Sequence, residues 1–187
     1  MMFNPAPFLF ALLVATLPAQ AGDYRTYAEA ITQMPPDGAI FRDDLESVLD
    51  AKVTAYRKKK HRRALEARPD LETAARAQAL DIMALGKSGH RSRNGESFEI
   101  RFDAFRPDPE KHYASGENAA SDRRRGAVDE AKALRLFELW TNSTGHRENL
   151  LSERYMFVSS GVVQRGTELW AVQIFWSNPT RSNSLFQ

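Results

Sequence analysis

Two runs near the C-terminal end, Tyr155 to Gln164 and Glu168 to Trp176, carry consecutive apolar residues and are joined through Arg165-Gly166-Thr167. They read as an antiparallel hairpin. Stretches such as Gly161-Val162-Val163 and Ala171-Val172 leave neither face of that hairpin suited to water, so the sheet it belongs to needs cover on both sides.

Helices supply the cover. Leu45, Val48, Leu49, Val53 and Tyr56 recur at helical spacing, which predicts an amphipathic helix over residues 41–60. A second helix enters at Pro69-Asp70, turns Leu71, Ala75, Gln78, Ile82 and Leu85 to one side, and stops at Gly86, delivering the chain to Ser88-Gly89-His90. Residues 91–116 are irregular, with Asn94-Gly95, Pro107 and Pro109 as breakers and a short helix from Phe98 to Phe105. A third helix is predicted from Ala127 to Asn142, with Ala133, Leu136, Phe137 and Trp140 on one side and Gly145 as its terminator.

The first 21 residues carry no charged side chain, hold an apolar run from Phe8 to Leu17 and close on Ala19-Gln20-Ala21. This is the pattern of a cleaved signal peptide and predicts a secreted or periplasmic product. The run is short for a bilayer span, which needs about 20 residues, so no stable transmembrane anchor is expected. Residues 22–40 form a lead-in segment broken by Pro35-Pro36-Asp37-Gly38, residues 41–178 the domain proper and 179–187 a polar tail.

The chain contains no cysteine, so the core must hold the fold without disulfides. Its net charge of +2 requires no polyanionic partner. The run Arg57-Lys58-Lys59-Lys60-His61-Arg62-Arg63 reads as a solvated helix C-terminus, where cations suit the helix dipole. A nucleic-acid partner is not expected of an exported chain with no aromatic residues in that run.

Three segments place a titratable residue beside a turn-former or a helix end: Ser88-Gly89-His90, Gly116-Glu117-Asn118, and Trp140 to Leu151. If His90, His146 and Glu117 share one cleft, two neutral imidazoles and a carboxylate have the ligand chemistry of an open zinc site. Without metal the same trio makes a hydrogen-bonded network in which Glu117 holds one imidazole partly protonated near neutral pH. Asn118 is read as satisfying backbone groups around the turn that aims Glu117, Arg147 and Asn149 as bracing a His146 loop, and Ser143 as bonding a helix end or a site histidine. Glu138 falls opposite the apolar stripe and should face water, Trp140, Trp170 and Trp176 read as core, and His61 and His112 as surface residues.

The ordered set L-x-x-x-A-R-x-x-A from Leu71, G-H at 89–90, G-E-N at 116–118, W-x-x-S-x-G-H-R-x-N-L-L at 140–151 and W-x-x-Q-x-F at 170–175 resembles the bacterial branch of the CAP, or SCP-like, superfamily. The resemblance covers about residues 45–178. It implies a three-layer α/β/α sandwich with a central antiparallel sheet and an open cleft lined by His90, Glu117 and His146. It also implies zinc or another divalent metal on His90 and His146 in some members, and sterols, lipids or glycans as ligands in others. The fuller family set has a second glutamate where this chain has Ser143, which weakens a four-group catalytic scheme. The resulting expectation is a protein whose cleft binds a small ligand, a lipid or cell-envelope material, with or without metal. The alternatives are a metal-assisted hydrolase with Glu117 as base, and an interaction module working through the basic run and the lead-in segment.

Overall fold

A computed structural model of the chain describes residues 21–179. The segment read as a signal peptide, save Ala21, and tail residues 180–187 lie outside the described residues. The predicted hairpin is present as β4 (Phe157–Arg165) and β5 (Glu168–Trp176), paired antiparallel from Phe157↔Trp176 to Arg165↔Glu168. Side chains alternate along β5. Trp170, Val172 and Ile174 enter one buried cluster, while Leu169, Ala171 and Phe175 enter the other, so an apolar run interrupted only by Gln173 serves two cores.

Helices α1 (Ala21–Gln33), α3 (Glu72–Leu85) and α4 (Phe98–Phe105) cover the first face, and α2 (Asp43–Lys59), α5 (Glu130–Asn142) and α6 (Thr144–Leu151) the second. The result is a three-layer α/β/α sandwich. Strand order is β1 (Ala39–Phe41), β4, β5, β3 (Ser115–Asp122), all antiparallel, with the two-residue β2 (Glu66–Ala67) beside β4 in parallel. The stretch before residue 41 joins the core, since Tyr24 and Ala28 of α1 are fully buried against α3 and α4.

α3 is sunk between α1 and the sheet. Its alanines 74, 75, 77 and 79 are all fully buried, so over that stretch only the partly exposed Arg76 reaches the surface. Small residues permit the close approach, and Gly161 of β4 completes it: a Cβ there would run into the backbone of Arg76 and Ala75, with Ala75 O at 2.7 Å. Leu85, expected inward, is 41% exposed because α3 has passed the sheet by its last turn, where Gly86 caps it with φ 66°.

The third predicted helix is two helices. α5 starts at Glu130, with the Asp129 carboxylate accepting from Lys132 N, and ends at Ser143, which is also the residue before α6. Gly145 is therefore not a terminator but lies in the first turn of α6, and His146 sits on a helix rather than in a loop. The basic run also departs from a fully solvated helix end. Arg57 is 1% exposed and donates to the carbonyls of Arg63, Leu150 and Ser152, tying α2 to the end of α6.

Candidate functional site: a histidine pair across an edge strand

β3 is the last strand of the sheet, and the two imidazoles meet across its open edge. His90 arrives from the layer containing α3 and His146 from the layer containing α6, yet their ring centroids are 6.0 Å apart at an interplanar angle of 63°. Only at a sheet edge can side chains from opposite layers come so close.

Glu117 lies within β3, not in a turn, and its side chain is 2% exposed on the α4 side. His90 Nδ1 is 2.9 Å from Glu117 Oε1. That bond makes Nδ1 the donor and leaves Nε2 toward the half-exposed side of the ring. The second partner of Glu117 is Arg101 of α4, which the sequence reading missed. Its Nη1 donates to Oε2 at 2.7 Å and its Nη2 to Oε1 at 2.9 Å, so a fully buried guanidinium faces a fully buried carboxylate in fork geometry. Arg101 Nη2 also donates to the His90 carbonyl at 3.0 Å. One side chain thus fixes both the carboxylate and the backbone of the histidine it orients.

Gln78 of α3 was also missed. Fully buried, it donates from Nε2 to Gly89 O at 2.9 Å and to Arg91 O at 3.2 Å. With Arg101 it holds three successive carbonyls around His90. A sequence signal existed for both residues: Gln78 lies on the predicted apolar stripe of its helix, and Arg101 lies between Phe98, Phe102 and Phe105 at helical spacing. A polar group on a buried stripe needs a buried partner.

The second layer is tied in through Asn118 and Asn149. Asn118 Nδ2 donates to His146 O at 3.1 Å, and Asn149 Nδ2 donates to Glu117 O at 3.1 Å and to Asn118 Oδ1 at 3.0 Å. Asn118 therefore positions α6 rather than a turn, and Asn149 locks α6 to β3 rather than bracing a loop. Gly116 lets them approach, since a Cβ there would collide with Tyr155 Oη and stand 2.8 Å from Asn149 Oδ1. Arg147 donates to Thr141 O, joining α6 to the end of α5. The Ser143 side chain makes no cap bond, and its carbonyl accepts from Arg147 N.

These contacts give the two imidazoles opposite proton affinities. The hydrogen bond to Glu117, aided by its charge, raises the pKa of His90 above the ordinary value against the opposing effects of burial and Arg101. Burial, aided by the charge on His90, lowers that of His146. Burial disfavours ionised Glu117, but the Arg101 charge and the bonds from His90 and Arg101 outweigh it and hold the carboxyl below its usual range. The edge thus presents a readily protonated imidazole beside one that resists protonation.

A zinc site of three protein ligands does not fit this donor set. Both oxygens of Glu117 are engaged by Arg101 and His90, which leaves two imidazoles. Among the described residues no group of three or more His, Cys, Asp or Glu side chains is arranged to hold a metal ion. The same engagement leaves Glu117 poorly placed to take a proton from water. Its hydrogen bond fixes the orientation of the His90 ring.

The model of the cysteine-rich secretory protein family, CAP, matches residues 51–175. No curated protein sequence matches the chain. Among solved structures, an extracellular protein containing an SCP domain from Bacillus anthracis superposes with a TM-score of 0.60 at 18% identity over 73% of this chain. This chain spans only 41% of that protein. An outer surface protein from Borrelia burgdorferi gives a TM-score of 0.61 at 19% identity, covering 74% of this chain and 96% of that one. A cysteine-rich secretory protein from Staphylococcus aureus gives 0.53 at 16% identity, covering 73% and 39%. No helix among the described residues is long and apolar enough to cross a membrane. With a family model matched over two thirds of its length, on a sandwich shared with these bacterial proteins, the chain belongs to the CAP family of cysteine-rich secretory proteins, although it has no cysteine of its own.

Proposed function

We propose that this chain is an extracytoplasmic CAP-domain protein whose cleft binds a polar ligand, a small molecule or a fragment of cell-envelope material, between His90 and His146. One observation carries the reading: the buried Arg101–Glu117 fork aims His90 outward while leaving the carboxylate no free oxygen edge. A protonated imidazole can donate and its neutral neighbour can accept, which suits paired recognition of hydroxyl, amide or anionic groups. The cleft trio brings no nucleophile, so recognition fits it better than covalent catalysis. The leader-like first residues and the extracellular or surface description of two similar structures support the location.

The test uses a muramidase digest of peptidoglycan as probe, with the side-chain resonances of His90 and His146 followed by NMR. Saturable shifts of both histidines, abolished in Glu117→Gln, are expected. Unmoved histidine resonances in the folded wild type at saturating digest would remove envelope material as the ligand. Turnover of the digest that survives in Glu117→Gln would point to chemistry elsewhere.

A further inference from the structure

The register of the sheet decides which backbone groups of β3 are left unpaired. In β4 the carbonyls of Val158 and Val162 accept from Arg68 N and Arg42 N, on the side away from β5. Alternation then turns Ser159 and Gly161 toward β5, where Ile174 and Val172 face them. On β5 the next residues, Gln173 and Ala171, face β3 and pair with Asn118 and Ala120. The N–H and C=O groups of Glu117, Ala119 and Ser121 therefore point out of the sheet. Side chains cover the first part of this edge, since Ser115 O accepts from Tyr155 Oη and Glu117 O from Asn149 Nδ2. Ala119 is screened, at 4% exposure.

Ser121 is only partly screened, and its outward backbone groups are unpaired. Among the described residues it is engaged only through its hydroxyl, 3.1 Å from Ser88 Oγ, and no hydrogen bond takes up its backbone N–H or C=O. The edge opens there into a groove of about 590 Å³ lined by Ser121, Asp122, Arg123, Arg124 and Leu139. Leu139 of α5 is 49% exposed, an apolar side chain without cover at the groove wall. Arg123, Arg124 and Arg125 follow Asp122 in sequence, and the side chains of Arg123 and Arg124 are more than half exposed although Arg123 holds Glu168 and Arg124 holds Asp122.

We propose that an extended peptide segment with acidic side chains adds to the outer edge of β3 at Ser121 and lies in this groove toward the arginine run. The pairing supplies main-chain hydrogen bonds, and alternate side chains of the added strand supply selectivity. One set of side chains falls on the Leu139 side and favours apolar residues, and the other falls beside Arg123 and favours carboxylates. The site is separate from whatever occupies the histidine cleft, although the Ser88 loop borders both.

The probe is an N-acetylated, C-amidated hexapeptide of alternating valine and glutamate, added to the full chain while amide hydrogen exchange is followed by NMR. At saturation the Ser121 amide should exchange at least tenfold more slowly. The same peptide N-methylated at every residue, which removes the donors for either strand direction, should give no protection. Ser121→Pro removes an N–H that the β5 ladder does not use, a change an edge strand tolerates, and should weaken binding at least tenfold. The proposal is overturned if the Ser121 amide stays unprotected at millimolar peptide or if the N-methylated peptide binds equally well. A lysine-for-glutamate peptide that binds as tightly would overturn the acidic preference.

Discussion

Arg101 closes on Glu117 with both terminal nitrogens in a pocket where the arginine side chain is 0% and the glutamate side chain 2% exposed. Removing one partner of such a pair strands the other charge. Arg101→Met should therefore cost about 3–5 kcal/mol, read as a lower midpoint in urea. The double variant Arg101→Met, Glu117→Gln should recover part of the loss, because no unpaired charge remains buried. A double variant less stable than Arg101→Met alone would show that the pair acts through packing.

The pair also sets the proton on His90, and NMR titration of the imidazoles reads it. In the wild type His90 should titrate above, and His146 below, the ordinary histidine value. In Glu117→Gln the His90 midpoint should fall, since the raising bond and charge are gone while Arg101 stays. The linkage sign follows from the raised value. The folded state holds the His90 proton more tightly, so that stability is fully present below about pH 6.5 and is lost as pH rises through the folded midpoint. The stability difference between wild type and His90→Gln should therefore be larger at about pH 5.5 than at about pH 9. A difference independent of pH would contradict the assigned bond.

Asp50 supplies a second pH signature. It accepts from Ser160 Oγ at 2.5 Å, and burial pushes its carboxyl from 3.8 up to about 6. The folded state thus favours the protonated form. That contribution is complete below the unfolded value of 3.8 and is lost as pH rises through about 6. Asp50→Asn cannot ionise, so relative to wild type it should gain on the order of 2–3 kcal/mol between about pH 4 and about pH 8. Denaturant midpoints at the two pH values measure the gain.

Gly161 marks the closest contact of α3 with the sheet. Because a Cβ at that position meets helix backbone rather than a movable side chain, Gly161→Ala should destabilise by about 3 kcal/mol, the upper end for overpacking. Thermal unfolding of the variant is the check, and a change below the scatter of the measurement would mean that α3 sits farther from β4.

Zinc added to the protein should find no tight site dependent on the cleft. Calorimetric isotherms for wild type, His90→Ala and His146→Ala are expected to be weak and alike. A strong site lost in both variants would reverse the conclusion drawn from the engagement of Glu117.

Local pattern by itself determined the elements whose neighbours along the chain carry the signal. The apolar runs at 155–164 and 168–176 dictated the hairpin and the need for cover on both faces, and helical spacing set α2, α3, α4 and most of α5. The family resemblance carried by the ordered G-H, G-E-N and G-H-R segments singled out His90, Glu117 and His146. Tertiary structure alone decided β3, because Ser-Gly-Glu-Asn-Ala-Ala-Ser-Asp lacks the branched and aromatic residues of a strand and is extended by its pairing with β5. It also decided that Gly145 lies in the first turn of a helix, that Arg57 turns inward, and that Arg101 is the second partner of Glu117. Periodicity reports only which way a side chain leaves its own element. What it meets there depends on chain brought from elsewhere, and the two oxygens of Glu117 are claimed by residues that no local repeat connects to it.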